Sequence, residues 1–252
     1  MASKAERARS FGAIAEDYDR LRPTPPPEAL DWLVPDGCEV AVDVAAGTGL
    51  FTRALAQWVD TVIAVEPDPR MRVVLADRSP GIEVRDGTGE SIPLPDASAD
   101  AVFIASAWHW LDESRAIPET ARVLRDGGRF GVLWSSRDRE LEWVRELDLA
   151  PGEERPLDAV EDQHRTRRDV SNDGAGWFEA VERRSFAFTR RMTPSDVVDM
   201  VATYSRVITA APEQRTVILA KARRLLLDQY GDAAEIDFPM RTWCWRGDRI
   251  TR

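Results

Sequence analysis

The run Val40-Ala-Val-Asp-Val-Ala-Ala-Gly-Thr-Gly-Leu-Phe51 constrains this chain more than any other stretch. Val40 to Val44 read as a buried strand, because a short run rich in branched apolar residues suits a strand covered on both faces. Ala45 to Gly49 are small enough for a tight turn, and a helix begins near Leu50. One acid, Asp43, sits at the strand's end. About 20 residues on, a second apolar strand, Val62 to Val65, ends in another acid, Glu66. This layout puts a backbone cradle and a diol-binding carboxylate at one edge of a parallel sheet. It is the layout of a pocket for an adenosine-containing cofactor.

The rest of the chain supplies the elements such a sheet needs. After strand one, Phe51, Ala54, Leu55 and Trp58 fall on one helical face at i, i+3, i+4 and i+7. A short helix near Pro69–Ala76 follows strand two. Strand three is expected around Ile82–Val84 and strand four at Ala101–Ala105, after Asp100. A helix near Glu113–Leu124 ends at Arg125-Asp-Gly-Gly128, a composition that stops helices, and strand five runs from Arg129 to Trp134. Alternation of this kind implies an α/β fold, a doubly wound and mostly parallel sheet with helices on both faces.

On either side of this core the pattern changes. Residues from Ser3 to about Tyr18 look helical, and Arg22-Pro-Thr-Pro-Pro-Pro27 then breaks any helix. A short helix near Glu28–Leu33 leads to the turn Pro35-Asp-Gly37. Residues 1–38 therefore read as an N-terminal helical lid, and 39–252 as the main domain, with a loop-rich or helical insertion around 141–180. A helix is expected near Leu141–Leu147, then a polar stretch from Pro151 to Gly176. Phe186-Ala-Phe188 suits a strand, Pro194–Ile208 and Pro212–Tyr230 suit helices, and Ile236–Trp245 suits a last strand.

Bulk properties narrow the function. A formal net charge of −10 argues against a broad nucleic-acid or anionic-membrane footprint, which needs clustered cations. The run Arg165, Arg167, Arg168 reads as a solvated face. Cys38 and Cys244 are far apart and outside any metal-ligand spacing, and two histidines are too few for a typical histidine-rich metal site, so no metal is expected. The N-terminus lacks a signal peptide's apolar core, and no apolar run reaches transmembrane length, so a cytoplasmic location is expected.

Three cofactor classes use a strand–turn–helix of this kind. A phosphate-cradling loop needs Lys-Ser/Thr after its last glycine, and Gly49 is followed by Leu50-Phe51. The dinucleotide fingerprint needs a third glycine three residues after the second, and Thr52 stands there, which weakens a nicotinamide-dependent oxidoreductase without removing it. S-adenosylmethionine has no phosphate to neutralise. Its methionyl tail lies against backbone, which Ala45, Ala46, Gly47 and Gly49 permit. Its ribose diol needs a paired acceptor, which Glu66 offers, and its sulfonium cation suits a pocket holding two acids.

Five blocks carry a resemblance. They are Tyr18-Asp-Arg-Leu-Arg-Pro23, Val42-Asp-Val-Ala-Ala-Gly-Thr-Gly49, Val65-Glu-Pro-Asp-Pro-Arg-Met71, Gly87-Thr-Gly-Glu-Ser-Ile-Pro-Leu-Pro95, and Ala107-Trp-His-Trp-Leu-Asp112 with Arg122-Val-Leu-Arg-Asp-Gly-Gly-Arg-Phe130. In this order and spacing the chain resembles a class I S-adenosylmethionine-dependent methyltransferase. Within that class it is most similar to the small-molecule group that includes trans-aconitate methyltransferase-like proteins. The resemblance covers about residues 11 to 138 and implies a seven-stranded, Rossmann-like methyltransferase fold.

It also implies roles. Asp43 and the backbone of Ala45, Gly47, Thr48 and Gly49 would hold the methionyl end. Glu66 would bind the ribose hydroxyls, with Pro67 and Met71 beside the adenine, Thr88 and Gly89 at the adenine edge, and the Ser106 backbone closing over the cofactor. Two positions depart from the family pattern. Thr88 stands where an acid often accepts from the adenine amino group, and Ala45-Ala46 stand where Gly-Cys is common. Several residues carry two readings. Asp43 is a ligand of the cofactor or a group bonding the turn and the next helix. His109 is a general base or a packing residue between Trp108 and Trp110. Tyr18 covers the pocket or anchors the N-terminal helix. Arg22 pairs with a carboxylate or lies on the surface. Trp134 and Arg137 are candidates for contact with a small-molecule substrate. A protein that keeps the pocket without methylating anything would share the cofactor blocks. The oligomeric state is not encoded in any of these features.

Overall fold

A computed structural model gives the fold, and it describes residues 21–156, 170 and 176–251. The helix expected over Ser3–Tyr18, and with it Tyr18, lies outside those residues, as do residues 157–169 and 171–175 of the polar stretch. Seven described strands form one sheet: β1 (Val40–Val44), β2 (Thr61–Val65), β3 (Glu83–Arg85), β4 (Ala99–Ala105), β5 (Leu124–Arg137), β6 (Phe178–Met192) and β7 (Ile236–Arg249). Their order is β3-β2-β1-β4-β5-β7-β6. The ladders among β1 to β5 are parallel, while β7 runs antiparallel to both β5 and β6. This is the mostly parallel α/β sheet the sequence predicts, with one reversed strand.

The described helices are α1 (Pro27–Leu33), α2 (Leu50–Leu55), α3 (Pro69–Arg78), α4 (Glu113–Val123), α5 (Glu142–Arg145), α6 (Pro194–Ala202), α7 (Ser205–Ile208) and α8 (Pro212–Tyr230). One sheet face packs Val42, Val132 and Phe130 against Ile117 and Ala121 of α4. The other packs Ala41, Phe103 and Leu133 against Leu30 and Leu33 of α1 and Leu55 of α2. Strand alternation sends neighbouring residues to these two cores. A third core lies between the far ends of β6 and β7 and helices α6 to α8, around Met192, Val201, Leu226 and Phe238. Among the described residues, no helix is long and apolar enough to cross a membrane.

Several elements differ from the sequence expectation. α2 ends at Leu55, so Trp58 does not extend its buried face and is exposed. β5 begins at Leu124 rather than Arg129, and β7 runs to Arg249 rather than Trp245 because it pairs with both neighbours that far. β5 does not end at Trp134. It continues to Arg137 because β7 pairs with it that far, Arg137 opposite Met240, and the Ser135 and Thr242 hydroxyls bond across the ladder at 2.8 Å. β6 is far longer than Phe186-Ala-Phe188; it is an edge strand whose exposed Glu and Arg positions hide its period. The helix expected over Pro194–Ile208 breaks into α6 and α7. Thr203 turns its hydroxyl back onto the Met200 carbonyl at 2.7 Å, and the break brings the Tyr204 side chain into the core.

Candidate active site

The loop after β1 is built to expose backbone. Ala45 has φ of 56°, a left-handed conformation uncommon for a residue with a side chain. The Ala46 N–H donates to the Val65 carbonyl at 3.1 Å, tying the turn to the end of β2, and the Gly49 N–H donates to the Ala46 carbonyl at 3.0 Å. Gly49 caps α2 at φ of 83°, and a Cβ there would stand 2.9 Å from Leu75 Cγ. Only glycine fits that position. Gly47 also has a positive φ, but a Cβ there would meet nothing within 4 Å. The Gly47 backbone therefore borders open space.

Both acids sit at this loop. Asp43 is fully buried; its Oδ2 accepts from the Thr52 hydroxyl at 2.6 Å, and its Oδ1 has no hydrogen-bond partner. Thr52, which stands where a dinucleotide site would have its third glycine, is thus used to hold Asp43. Burial raises the Asp43 carboxyl to about 7, the Thr52 hydroxyl opposes the rise, and the nearby Glu66 charge adds to it. Glu66 is 6% exposed. Its Oε2 accepts from the Gly47 N–H and its Oε1 from the Asp68 N–H, both at 2.8 Å. Burial raises Glu66 as well, and these two backbone donors hold the rise back. Each Glu66 oxygen keeps a further lone pair for a ligand.

Beside Glu66, Asp68 caps α3, accepting from the Arg70 N–H at 2.9 Å. Met71 of α3 is buried and Pro67 is exposed. Thr88 exchanges backbone hydrogen bonds with Ser91 at 3.2 Å. Gly89 packs so closely that a Cβ would lie 2.6 Å from the Leu111 side chain. At the end of β4, Ser106 is a second non-glycine residue with positive φ, 58°, and its N–H donates to the Leu133 carbonyl at 2.8 Å. Strained positions thus stand at the carboxyl ends of both β1 and β4, the edge where open α/β sheets bind ligands. The chain then makes a 3-10 turn over Trp108–Trp110. His109 is held between Trp110 and Trp134, with ring centroids 4.4 and 4.8 Å away.

Past Trp134 the same edge carries a group of arginines. Arg137 is fully buried; its Nη2 pairs with Asp148 Oδ1 at 2.7 Å and its Nε donates to the Val144 carbonyl at 3.0 Å. Burial works against the Arg137 charge, and Asp148 with Tyr204 more than restores it. Burial also works against the Asp148 charge, but Arg137, Arg155 and Arg139 draw the carboxyl down to about 2. Arg155 pairs with Asp148 at 3.1 Å. The guanidinium groups of Arg22 and Arg137 both lie over the Tyr204 ring, 5.2 and 4.4 Å from its centroid.

The predicted site residues thus fall into groups. Asp43, Ala45, Gly47, Thr48, Gly49 and Glu66 come together in one loop and strand-end cluster. His109 meets Trp134, and Arg22 meets Arg137 through Tyr204. Arg139, Asp148, Arg155 and Tyr204 were not singled out by sequence. Asp148 and Tyr204 are 56 residues apart in the numbering, and no local spacing joins them. Among the described residues, no group of three or more His, Cys, Asp or Glu is arranged to hold a metal ion.

Comparison with known proteins gives the family of the chain. The profile of a family described as a methyltransferase domain matches residues 42–132, from β1 into β5. An uncharacterised methyltransferase of Mycobacterium tuberculosis is 42% identical over 224 residues, 89% of this chain and 88% of that protein. The chain belongs to the methyltransferase family. This methyltransferase is also 35% identical over 143 residues to a malonyl-[acyl-carrier protein] O-methyltransferase of Hahella chejuensis, across 50% of this chain and 48% of the relative. Among solved structures, a candidate type II methyltransferase from Anaeromyxobacter dehalogenans has the same fold, with a TM-score of 0.64 at 22% identity over 90% of this chain and 96% of the other. A Haemonchus contortus phosphoethanolamine N-methyltransferase, solved with phosphomonomethylethanolamine and S-adenosylhomocysteine, shares the fold at a TM-score of 0.57 and 12% identity, over 100% of this chain and 61% of the other.

Proposed function

We propose that this methyltransferase transfers a methyl group from S-adenosylmethionine to a small-molecule acceptor. The observation that carries this reading is the junction of β1 and β2. There a buried Asp43 keeps one oxygen without a hydrogen bond, Gly47 borders open space, and Glu66 retains acceptor capacity. A ligand with a cationic tail and a ribose diol suits those three features together.

When bound, the cofactor supplies a methyl group already activated on a sulfonium sulfur. Asp43 and the backbone of residues 45–49 hold the methionyl end. Glu66 would accept from the ribose hydroxyls, Pro67 and Met71 would lie beside the adenine, and Thr88 and Gly89 would form its edge. The Ser106 backbone closes over the site. Attack is in line, so the protein's main work is positioning and exclusion of water. Trp134 walls the acceptor side and Arg22 lends it charge, while Arg137, fully buried on Asp148 and the Val144 carbonyl, stands behind that wall rather than in contact with the acceptor. His109 takes the acceptor's proton where the acceptor is a hydroxyl, an amine or a carbon acid, with Tyr18 assisting from the N-terminal segment. A carboxylate acceptor needs no base. Of the 1–38 segment expected as a lid, only the part before α1 would serve as one over a cytoplasmic small-molecule enzyme, because Leu30 and Leu33 fix α1 in the core. The Haemonchus neighbour, which shares the fold, was solved with S-adenosylhomocysteine and phosphomonomethylethanolamine, which is in keeping with the reading.

The test is Glu66→Ala. Loss of a charged hydrogen bond worth about 1.5–3 kcal/mol should weaken S-adenosylhomocysteine binding roughly 10–100-fold in a calorimetric titration. Unchanged affinity would remove Glu66 from the cofactor site.

A further inference from the structure

The guanidinium group of Arg139 is not matched by any acid of its own. Three arginines, Arg137, Arg139 and Arg155, surround the single carboxylate of Asp148. Arg137 and Arg155 both take their ion pair from it, at 2.7 and 3.1 Å. Arg139 makes neither an ion pair nor a side-chain hydrogen bond among the described residues, and its Nε is buried without a partner. Arg137 Nη1 is also buried without a hydrogen bond. Neighbouring acids are committed elsewhere. Asp138 and Glu140 pair with Arg241, at 3.0 and 2.7 Å, Glu146 pairs with Lys221 at 3.0 Å, and Glu153 pairs with Arg206.

A buried cation without a counter-ion is costly, and a fold retains one at a cost in stability. Burial, and after it the Arg137 charge, pushes the Arg139 guanidinium down to about 9. Its charge is therefore disfavoured by the protein alone and would be relieved by an anion. The residue as a whole is partly exposed, while its Nε is buried. It follows the end of β5 by two residues, past Trp134, at the sheet edge that carries Ser106 and His109. Arg137, the end residue of that strand, stands about 10 Å of extended chain beyond Trp134.

We propose that Arg139, backed by the Arg137–Asp148–Arg155 cluster, is a binding subsite for an anionic group on the small organic acceptor, so that the acceptor of this methyltransferase is an organic acid or phosphate ester. The inference rests on the methyltransferase reading and adds a substrate class to it. The arginine is a specificity residue: it contacts the acceptor's charged group, and Asp148 fixes the two arginines around it. A planar guanidinium fork donates to carboxylate or phosphate oxygens in pairs, and the outcome of the test separates the two.

The test uses the full chain and three probes, succinate, glycerol phosphate and neutral succinamide, each against sodium chloride of matched ionic strength. Thermal melting and calorimetric titration are read for wild type, Arg139→Met and Arg139→Lys, and S-adenosylhomocysteine affinity is measured in parallel. One of the two anions should raise the melting midpoint of wild type while succinamide does not. Arg139→Met should lose at least tenfold in affinity for that anion, Arg139→Lys should keep part of it, and S-adenosylhomocysteine affinity should stay within twofold of wild type in both. Absence of any anion effect beyond the salt control, or an equal effect on Arg139→Met, overturns the subsite and leaves cofactor binding standing. Anion binding through Arg139 with no S-adenosylhomocysteine binding would keep the subsite and remove the methyltransferase reading of the pocket.

Discussion

Asp43→Asn isolates a carboxyl whose charge this fold opposes. Asp43 is fully buried, and burial raises it from 3.8 to about 7. One unit of such a shift corresponds to about 1.4 kcal/mol. Between those two values the folded protein holds a proton that the unfolded chain has released. Folding therefore takes up a proton in that window, and the native state loses stability as pH rises through it, with no recovery above. From about pH 5 to about pH 8 the loss traceable to Asp43 is on the order of 3 kcal/mol. Asparagine keeps a carbonyl to accept from Thr52 and never ionises. Any penalty from its unpaired amide is the same at every pH, and titrating groups that do not interact with Asp43 are common to both proteins, so both drop out of the comparison; Glu66, whose charge raises Asp43, does not. Urea unfolding followed by tryptophan fluorescence, at a series of pH values between these limits, gives the stability difference directly. Asp43→Asn is expected to gain on wild type steadily up to about pH 7 and then level off. Parallel curves, or a wild type that gains stability over this range, would mean that Asp43 is ionised in the fold and that the burial argument is wrong.

Two further outcomes follow from the geometry. His109→Ala, assayed with an acceptor found by screening, should cut turnover at least tenfold, within the range typical of lost proton transfer, while cofactor affinity stays within twofold; unchanged turnover would make His109 a packing residue between Trp110 and Trp134. Asp148→Ala leaves the fully buried Arg137 without its counter-charge and should cost about 3–5 kcal/mol in urea unfolding, whereas a loss below about 1 kcal/mol would mean that the pair is not desolvated.

The cofactor edge is legible in the sequence because it is local. β1, its small-residue turn and α2 lie within sixteen residues, and Glu66 follows at the distance a βαβ unit sets. The physical demands there fall on residue types that stand out, such as Gly49, where a side chain would strike Leu75. The proposed acceptor side is another matter. Its groups come from the end of β5, from the turn after α5 and from the break between α6 and α7, and only the third dimension joins them. Arg137 could be named because it follows a strand, but Asp148 and Tyr204, which hold it, carry no local signature. β6 was similarly opaque. An edge strand half open to water needs no apolar alternation, and its Arg and Glu positions carry no strand signal. The end of β5 was misplaced for a related reason: Ser135 and Ser136 look like a strand terminator until Thr242 of β7 is seen to bond Ser135 across the ladder.

The central claim, that the acid-bearing edge of β1 and β2 is a pocket for S-adenosylmethionine, is tested most directly by a crystal structure of the full chain grown with S-adenosylhomocysteine. The account predicts Glu66 within hydrogen-bond distance of the ribose hydroxyls, the methionyl tail against the backbone of residues 45–49, and the sulfur facing the side that carries His109 and Trp134. The ligand bound elsewhere, or Glu66 still committed only to Gly47 and Asp68 with the ribose out of reach, would contradict it.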